Sequence, residues 1–242
     1  MTTLIRFSLG VSLLAGLGLP VYVAADEPVP DPVLATVQDL LGGIEPDSVR
    51  TTEARGLYEV RLDGTFLYIT EDGRHFVHGE LYDASSQRNL TESARREERV
   101  EVVESIGPDT FIVFDSEEPR HKLTVFTDVD CPYCAKFHLE VPELNKLGVQ
   151  VRYAAWPRTP PGTQSYARSV SVWCAQDQHQ AMTDAKAGRE IEPATCENPV
   201  QAHFEAGQRV GVRGTPSIVT EDGELIGGYV PYRELVQQLE RG

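Results

Sequence analysis

The chain has 242 residues, 37 acidic against 22 basic for a formal net charge of -15, and 40% hydrophobic side chains. That apolar content suits a packed core rather than disorder, and the acidity argues against a nucleic-acid partner, because gripping phosphates needs a positive surface. The length allows one large domain or two small ones.

Arg6 precedes an apolar run from Phe7 to Leu19, followed by Pro20 and the small residues Val23, Ala24 and Ala25. This is the pattern of a secretory signal peptide over residues 1–25, cleaved near Ala25; the run falls short of the ~20 residues of a spanning helix. Export gives the four cysteines a meaning, since disulfides persist in an oxidising compartment.

After Pro28, Pro30 and Pro32, the stretch Val33–Leu41 has apolar residues at helical spacing and stops at Gly42-Gly43. Leu57–Leu62, Phe66–Thr70 and His75–Leu81 then read as strands joined by Asp63-Gly64 and Asp72-Gly73, strong hairpin signals. Residues 26–86 are thus expected to form a small α+β domain. So small a module buries little surface alone and leaves an edge strand open, so it should dimerise or pack against the rest of its own chain. From Asn89 to Ile106 the sequence is charged and helix-favouring and ends at Gly107-Pro108, a linker helix within residues 87–107.

Residues 108–242 read as an α/β domain. Strands are expected at Thr110–Phe114 and Leu123–Thr127, a helix from Cys131 to about Leu139, a strand at Val149–Tyr153, and a long helical stretch over Gln164–Lys186. A helix at Val200–Val210, a hairpin of Ser217–Thr220 and Glu224–Gly227 around Asp222-Gly223, and a final helix at Tyr232–Leu239 complete it. Strand, helix and strand with a C-x-x-C at the first junction is the thioredoxin-like layout.

Disulfide exchange proceeds by thiolate attack on a disulfide sulfur, so the attacking cysteine must be exposed and its anion stabilised. Cys131, at a helix N-terminus, faces unpaired N–H groups and the positive end of the helix dipole. Cys134 stands one turn on, where it can capture Cys131 and release a stalled mixed disulfide, and Pro132 suits the opening of a helix. Asp128 and Asp130 would raise the thiol pKa if they pointed at the sulfur; no Lys or Arg lies between Thr127 and Ala135, which leaves the dipole as the main stabiliser. His138 reads as a surface histidine. Half of a zinc site is the competing reading of the C-x-x-C, but Cys174 and Cys196 form no second such pair and no His stands at finger spacing, so no metal and no cofactor is expected. Cys174 and Cys196 read as a structural disulfide, worth about 3 kcal/mol by loop closure. Gly214-Thr215-Pro216, just before a strand, reads as a cis-proline loop facing the dithiol, with the Thr215 backbone open to an extended substrate.

The sequence resembles the periplasmic disulfide isomerases of the DsbC type over nearly all of the mature chain. The resemblance is carried by Leu67-Tyr68-Ile69-Thr70 with Asp72-Gly73, by Phe126-Thr127-Asp128 leading into Cys131-Pro132-Tyr133-Cys134, and by Val151-Arg152-Tyr153, Trp173-Cys174-Ala175 and Gly214-Thr215-Pro216. It implies an N-terminal cystatin-like dimerisation domain, a linker helix and a C-terminal thioredoxin-like domain. Two chains would form a V-shaped homodimer whose dithiols face a cleft for misfolded disulfide-containing periplasmic proteins. It implies Cys131 as nucleophile, Cys134 as resolving thiol, Pro132, Tyr133, Thr215 and Pro216 as substrate-binding residues, Cys174–Cys196 as the structural disulfide, and a membrane electron donor of the DsbD type. Two departures stand out: Pro132 replaces the frequent Gly inside the motif, which tunes the dithiol potential, and Val125 stands where thioredoxins bury an acid, so any proton shuttle must come from water or another side chain. A disulfide oxidase, a holding chaperone and a DsbG-type sulfenic acid reductase are the alternatives.

Overall fold

The structure is a computed structural model that describes residues 28–241. The expected signal peptide and its cleavage site lie outside the described residues.

Helix α1 (Asp31–Leu41) opens with a proline in its first turn and closes on Gly42 in the left-handed conformation. Its Val33 and Val37 are buried against Tyr58, Val60 and Ile69 of an antiparallel sheet. The sheet runs in the order β1 (Ser48–Thr51), β2 (Leu57–Leu62), β3 (Thr65–Thr70) and β4 (Phe76–His78). Asp63 and Gly64, at φ 47° and 72°, make a tight two-residue turn that sets Leu62 opposite Thr65. The first strand escapes the sequence pattern because Ser48-Val49-Arg50-Thr51 has a single aliphatic residue. The fourth is shorter than the expected His75–Leu81: it stops before Gly79, which offers no side chain to pack, and Tyr82–Asp83 (β5) pairs instead with Arg88–Asn89 (β6).

Asn89 caps helix α2 (Leu90–Ser105) by accepting from the Glu92 N–H at 2.9 Å. The helix is polar overall, yet both its ends are anchored. Thr91 is buried and its hydroxyl lies 2.6 Å from that of Tyr68 in β3, while Val102 and Val103 pack with Phe111, Phe126, Ala206 and Val210 further along the chain.

A short 3-10 turn at Pro108–Thr110 leads into a five-stranded sheet of order β11-β10-β8-β9-β7. Its strands are β7 (Ile112–Phe114), β8 (His121–Thr127), β9 (Val149–Ala155), β10 (Ser217–Val219) and β11 (Leu225–Gly227). Strands β8 and β9 are parallel and the other pairings antiparallel. Helix α3 (Pro132–Lys146) connects the parallel pair; α4 (Gln164–Trp173), α5 (Gln178–Lys186), α6 (Val200–Arg209) and α7 (Tyr232–Leu239) complete the domain.

Side chains alternate along β8, so its two faces build two cores. Leu123 and Val125 pack with Phe137, Val141 and Leu144 of α3, Met182 of α5 and Leu235 of α7. Phe126, one residue on, packs with α2 and α6 on the other side. Helix α3 continues past the expected end near Leu139 and through Pro142, because Val141 and Leu144 have buried seats that hold the last turn. The expected single helix over Gln164–Lys186 is two: Cys174 ends α4, and Asp177 starts α5 by accepting from the Gln180 N–H at 2.9 Å.

Candidate active site

Strand β8 delivers the chain through Asp128-Val129-Asp130 to Cys131, whose backbone is extended (φ -80°, ψ 122°) at the N-cap of α3, with Pro132 in the first turn. The Thr215–Pro216 bond is cis, and the strand that follows it pairs Ser217 with Phe126 of β8. That pairing brings Thr215 beside the first cysteine: the Cys131 Sγ–H donates to the Thr215 carbonyl at 3.3 Å. Cys131 and Cys134 are both free thiols, and Cys174–Cys196 is a disulfide with a Cα–Cα distance of 5.7 Å.

Cys131 is less open than the sequence suggests. It is 4% exposed, because the Thr215 segment covers it, although its neighbours Pro132 and Tyr133 are exposed. The sulfur therefore lies just beneath the surface. Burial alone would push its pKa up; the side chain of Thr215, the backbone N–H groups of Cys134 and Tyr133 and the Cys134 thiol outweigh that, and the Cys131 thiol lies below the ordinary range. Those N–H groups belong to the first turn of α3, the anion-favouring end of the helix. The stabilisation comes first from Thr215 and then from these N–H groups, so the dipole is not the main agent. Thr215 Oγ1 is buried and makes no hydrogen bond while the thiol is protonated, which leaves it able to donate to a thiolate.

Cys134 behaves oppositely. Burial pushes its thiol up, against the pull of the Lys186 ammonium, the Thr127 hydroxyl and the Asp128 N–H. One thiol of the pair thus ionises readily and the other reluctantly.

Neither acid of the approach loop is spent on the sulfur. The Asp128 carboxylate is fully buried, accepting from the Asp130 N–H at 2.7 Å, the Arg158 N–H at 2.7 Å and the Arg158 Nε at 3.2 Å. Asp130 is paired with Arg168. His138 is a correction: it is buried, with Nδ1 3.0 Å from the Tyr153 hydroxyl and Nε2 3.1 Å from the Thr183 hydroxyl, and burial depresses its pKa to about 4. It lies on the inner face of α3, in a pocket whose polar groups satisfy both ring nitrogens. Among the described residues, no group of three or more His, Cys, Asp or Glu side chains is placed to hold a metal ion.

The comparisons with known proteins agree with this geometry. Residues 108–242 match the thioredoxin-like domain family, and residues 23–92 match the disulfide bond isomerase protein N-terminal domain. A thiol:disulfide interchange protein DsbC from Dickeya dadantii is 36% identical over 200 residues, 82% of each chain. The protein of that name from Escherichia coli K12 is 32% identical over 210 residues, 85% of this chain and 87% of that one. The chain belongs to the DsbC family. Among solved structures, a disulfide interchange protein from Neisseria gonorrhoeae superposes with a TM-score of 0.50 at 26% identity, covering 55% of this chain and 95% of that one. As a DsbC-type protein the chain is an oxidoreductase and isomerase that works by thiol–disulfide exchange, built from the family's N-terminal domain and a thioredoxin-like domain.

Of the residues singled out from the sequence, Cys131, Cys134, Pro132, Tyr133, Thr215 and Pro216 come together at one end of the DsbC-type C-terminal domain. Tyr133 is 63% exposed and Pro132 is exposed as well, whereas Pro216 is buried, so Pro132 and Tyr133 are the parts of this cluster that face outward. Sequence reasoning missed Lys186. Its Nζ lies beneath the dithiol, donating to the Thr127 hydroxyl at 2.6 Å and the Asp128 carbonyl at 2.7 Å.

Proposed function

We propose that Cys131 is the nucleophile of disulfide isomerisation and Cys134 the resolving thiol. The observation that carries this reading is the unequal pair: Cys131 is pulled below the ordinary thiol range by its contacts, while burial holds Cys134 protonated. The Cys131 thiolate attacks a wrong disulfide in a client, forms a mixed disulfide and expels one client thiolate. That thiolate can attack elsewhere in the client and rearrange it. Otherwise Cys134 attacks Cys131 Sγ and releases the client reduced. Tyr133 and Pro132 offer an exposed rim for the client, and the Thr215 N–H, which bonds to no other backbone group among the described residues, offers it a donor. Refolding of scrambled ribonuclease should be accelerated by the protein and not by Cys131→Ser; an equally active variant overturns the assignment.

Residues 26–86 are proposed to be the dimerisation domain, residues 87–107 the linker helix and residues 108–242 the catalytic domain of a homodimer. Strand β4 is the support: it closes one side of its sheet, and its Phe76 and Val77 are 53% and 52% exposed. Light scattering on Phe76→Glu/Val77→Lys should report half the mass of the native protein, and an unchanged mass removes this edge from the interface. The clients are proposed to be misfolded disulfide-containing proteins of the periplasm, reached after cleavage near Ala25, with a membrane donor of the DsbD type returning the dithiol to its reduced form.

A further inference from the structure

Lys186 ends α5, where a lysine ordinarily extends into water and favours the helix C-terminus. Here it turns inward and is 7% exposed. A buried ammonium is costly unless its donors are satisfied. Two of them are: the Thr127 hydroxyl accepts at 2.6 Å and the Asp128 carbonyl at 2.7 Å. Thr127 shares the face of β8 that Leu123 and Val125 present to α3, so its hydroxyl lies against Cys134, whose anion it favours. By accepting from Nζ, that hydroxyl keeps its own hydrogen for the sulfur. The Thr127 hydroxyl, hydrogen-bonded to a buried amine and favouring the anion of a buried thiol, therefore stands between the two. Val125, on the same strand face, offers no acid for this purpose.

We propose that Lys186, acting through Thr127, is the positioning residue that takes the proton of Cys134 during resolution. The proposal rests on the roles given above to Cys131 and Cys134. Once Cys131 is bound to the client its charge no longer favours the Lys186 ammonium; in the amine form Nζ accepts from the Thr127 hydroxyl, whose hydrogen passes to Nζ as Cys134 passes its proton to the Thr127 oxygen. The Cys134 thiolate then attacks Cys131 Sγ, the Cys131–client S–S bond breaks and the Cys131–Cys134 bond forms. The bonding pair leaves on the client sulfur, which takes a proton from water; the dithiol is oxidised and the client disulfide reduced. Without its anionic partner the buried ammonium then releases its proton to solvent.

The surroundings suit an amine that changes its charge. Burial lowers the Lys186 pKa, while Cys134, Asp128, Cys131 and Asp130 draw it back up. From α3, His138 faces the same region and is held neutral, and from β9 the Tyr153 ring lies 6.0 Å from Nζ. Asp128 is already engaged by Arg158 and Asp130 by Arg168, so neither is a permanent counterion to Lys186.

Reacting the full-length reduced protein with 2,2′-dipyridyl disulfide in a stopped-flow instrument separates the two steps. Attack by Cys131 releases one pyridine-2-thione, and closure by Cys134 releases the second. Lys186→Met is expected to leave the first phase within about twofold and to slow the second by about tenfold to a hundredfold near neutral pH, as for loss of a general base. The deficit should shrink as rising pH ionises Cys134 unaided. Thr127→Val, which removes the hydroxyl at nearly constant volume, should slow the same phase, and the double variant should be no slower than the worse single one. Folded variants with a native second phase and pH profile overturn the proposal. Loss of the first phase in Lys186→Met also overturns it, and a native first phase in Cys131→Ser instead refutes the assignment of the nucleophile.

Discussion

Two buried histidines give this protein an acid limit that can be worked from the structure. His203 is fully buried, accepting from the Ala155 N–H at 3.1 Å through Nδ1 and placing Nε2 3.0 Å from the Thr110 hydroxyl, and burial depresses its pKa to about 4. His138 is depressed to about 4 as well, by burial and by Lys186. An unfolded histidine titrates near 6.5. Above that pH both states are neutral and these residues add no pH dependence. Between about 6.5 and 4 the unfolded chain binds protons that the folded one refuses, so stability falls with falling pH, and below 4 the loss is complete. At 1.36 kcal/mol per unit, going from pH 7 to pH 5 costs about 2 kcal/mol per histidine and about 4 kcal/mol for the two. Urea unfolding of the reduced protein at closely spaced pH values reads this directly. His203→Gln, whose amide can still accept from Ala155, should lose about half of the slope between pH 7 and pH 5. A slope identical to that of the unmodified protein refutes the reasoning, whatever the variant's stability at pH 7.

Alkylation of Cys131 followed against pH should show a midpoint below the ordinary value of about 8.5, because the helix N–H groups and Thr215 favour the anion. Thr215→Val, which removes the unpartnered hydroxyl, should move that midpoint upward; an unmoved midpoint assigns the stabilisation to the helix alone. Gly223 has φ +82° and sits against the Arg96 carbonyl of α2, so an added Cβ meets backbone that cannot swing aside. Gly223→Ala should lower stability by about 2 kcal/mol or more, against about 1 kcal/mol for Gly42→Ala, whose Cβ meets open space. Equal thermal shifts for the two alanines would show that the close approach of hairpin and helix carries no energy.

The elements that announce themselves in the sequence are those whose determinants are local. Alternation and Asp63-Gly64 mark the first hairpin, Asp222-Gly223 marks the last, and Pro132 behind a cysteine marks the start of α3. The dithiol, the cis-proline loop and the disulfide are legible because their residue types are chemically rare. What stays hidden depends on contacts between distant segments. The break after Cys174 rests on an Asp177 cap inside a stretch of unbroken helical character. The continuation of α3 past Leu139 and through Pro142 rests on seats in the core for Val141 and Leu144. His138 and Lys186 look like ordinary polar residues of amphipathic helices, and only the packing of α5 against α3 puts them indoors. The burial of Cys131 escapes notice for a related reason, since its cover comes from Thr215, far along the chain.

That cover couples two events. The bond from Cys131 to the Thr215 carbonyl exists only while the sulfur keeps its hydrogen. Once the proton departs, sulfur and oxygen face each other as two electron-rich atoms, and the carbonyl becomes available to an N–H of an arriving polypeptide. In the mechanism proposed above, arming the warhead and vacating the berth for the client are consequently one act.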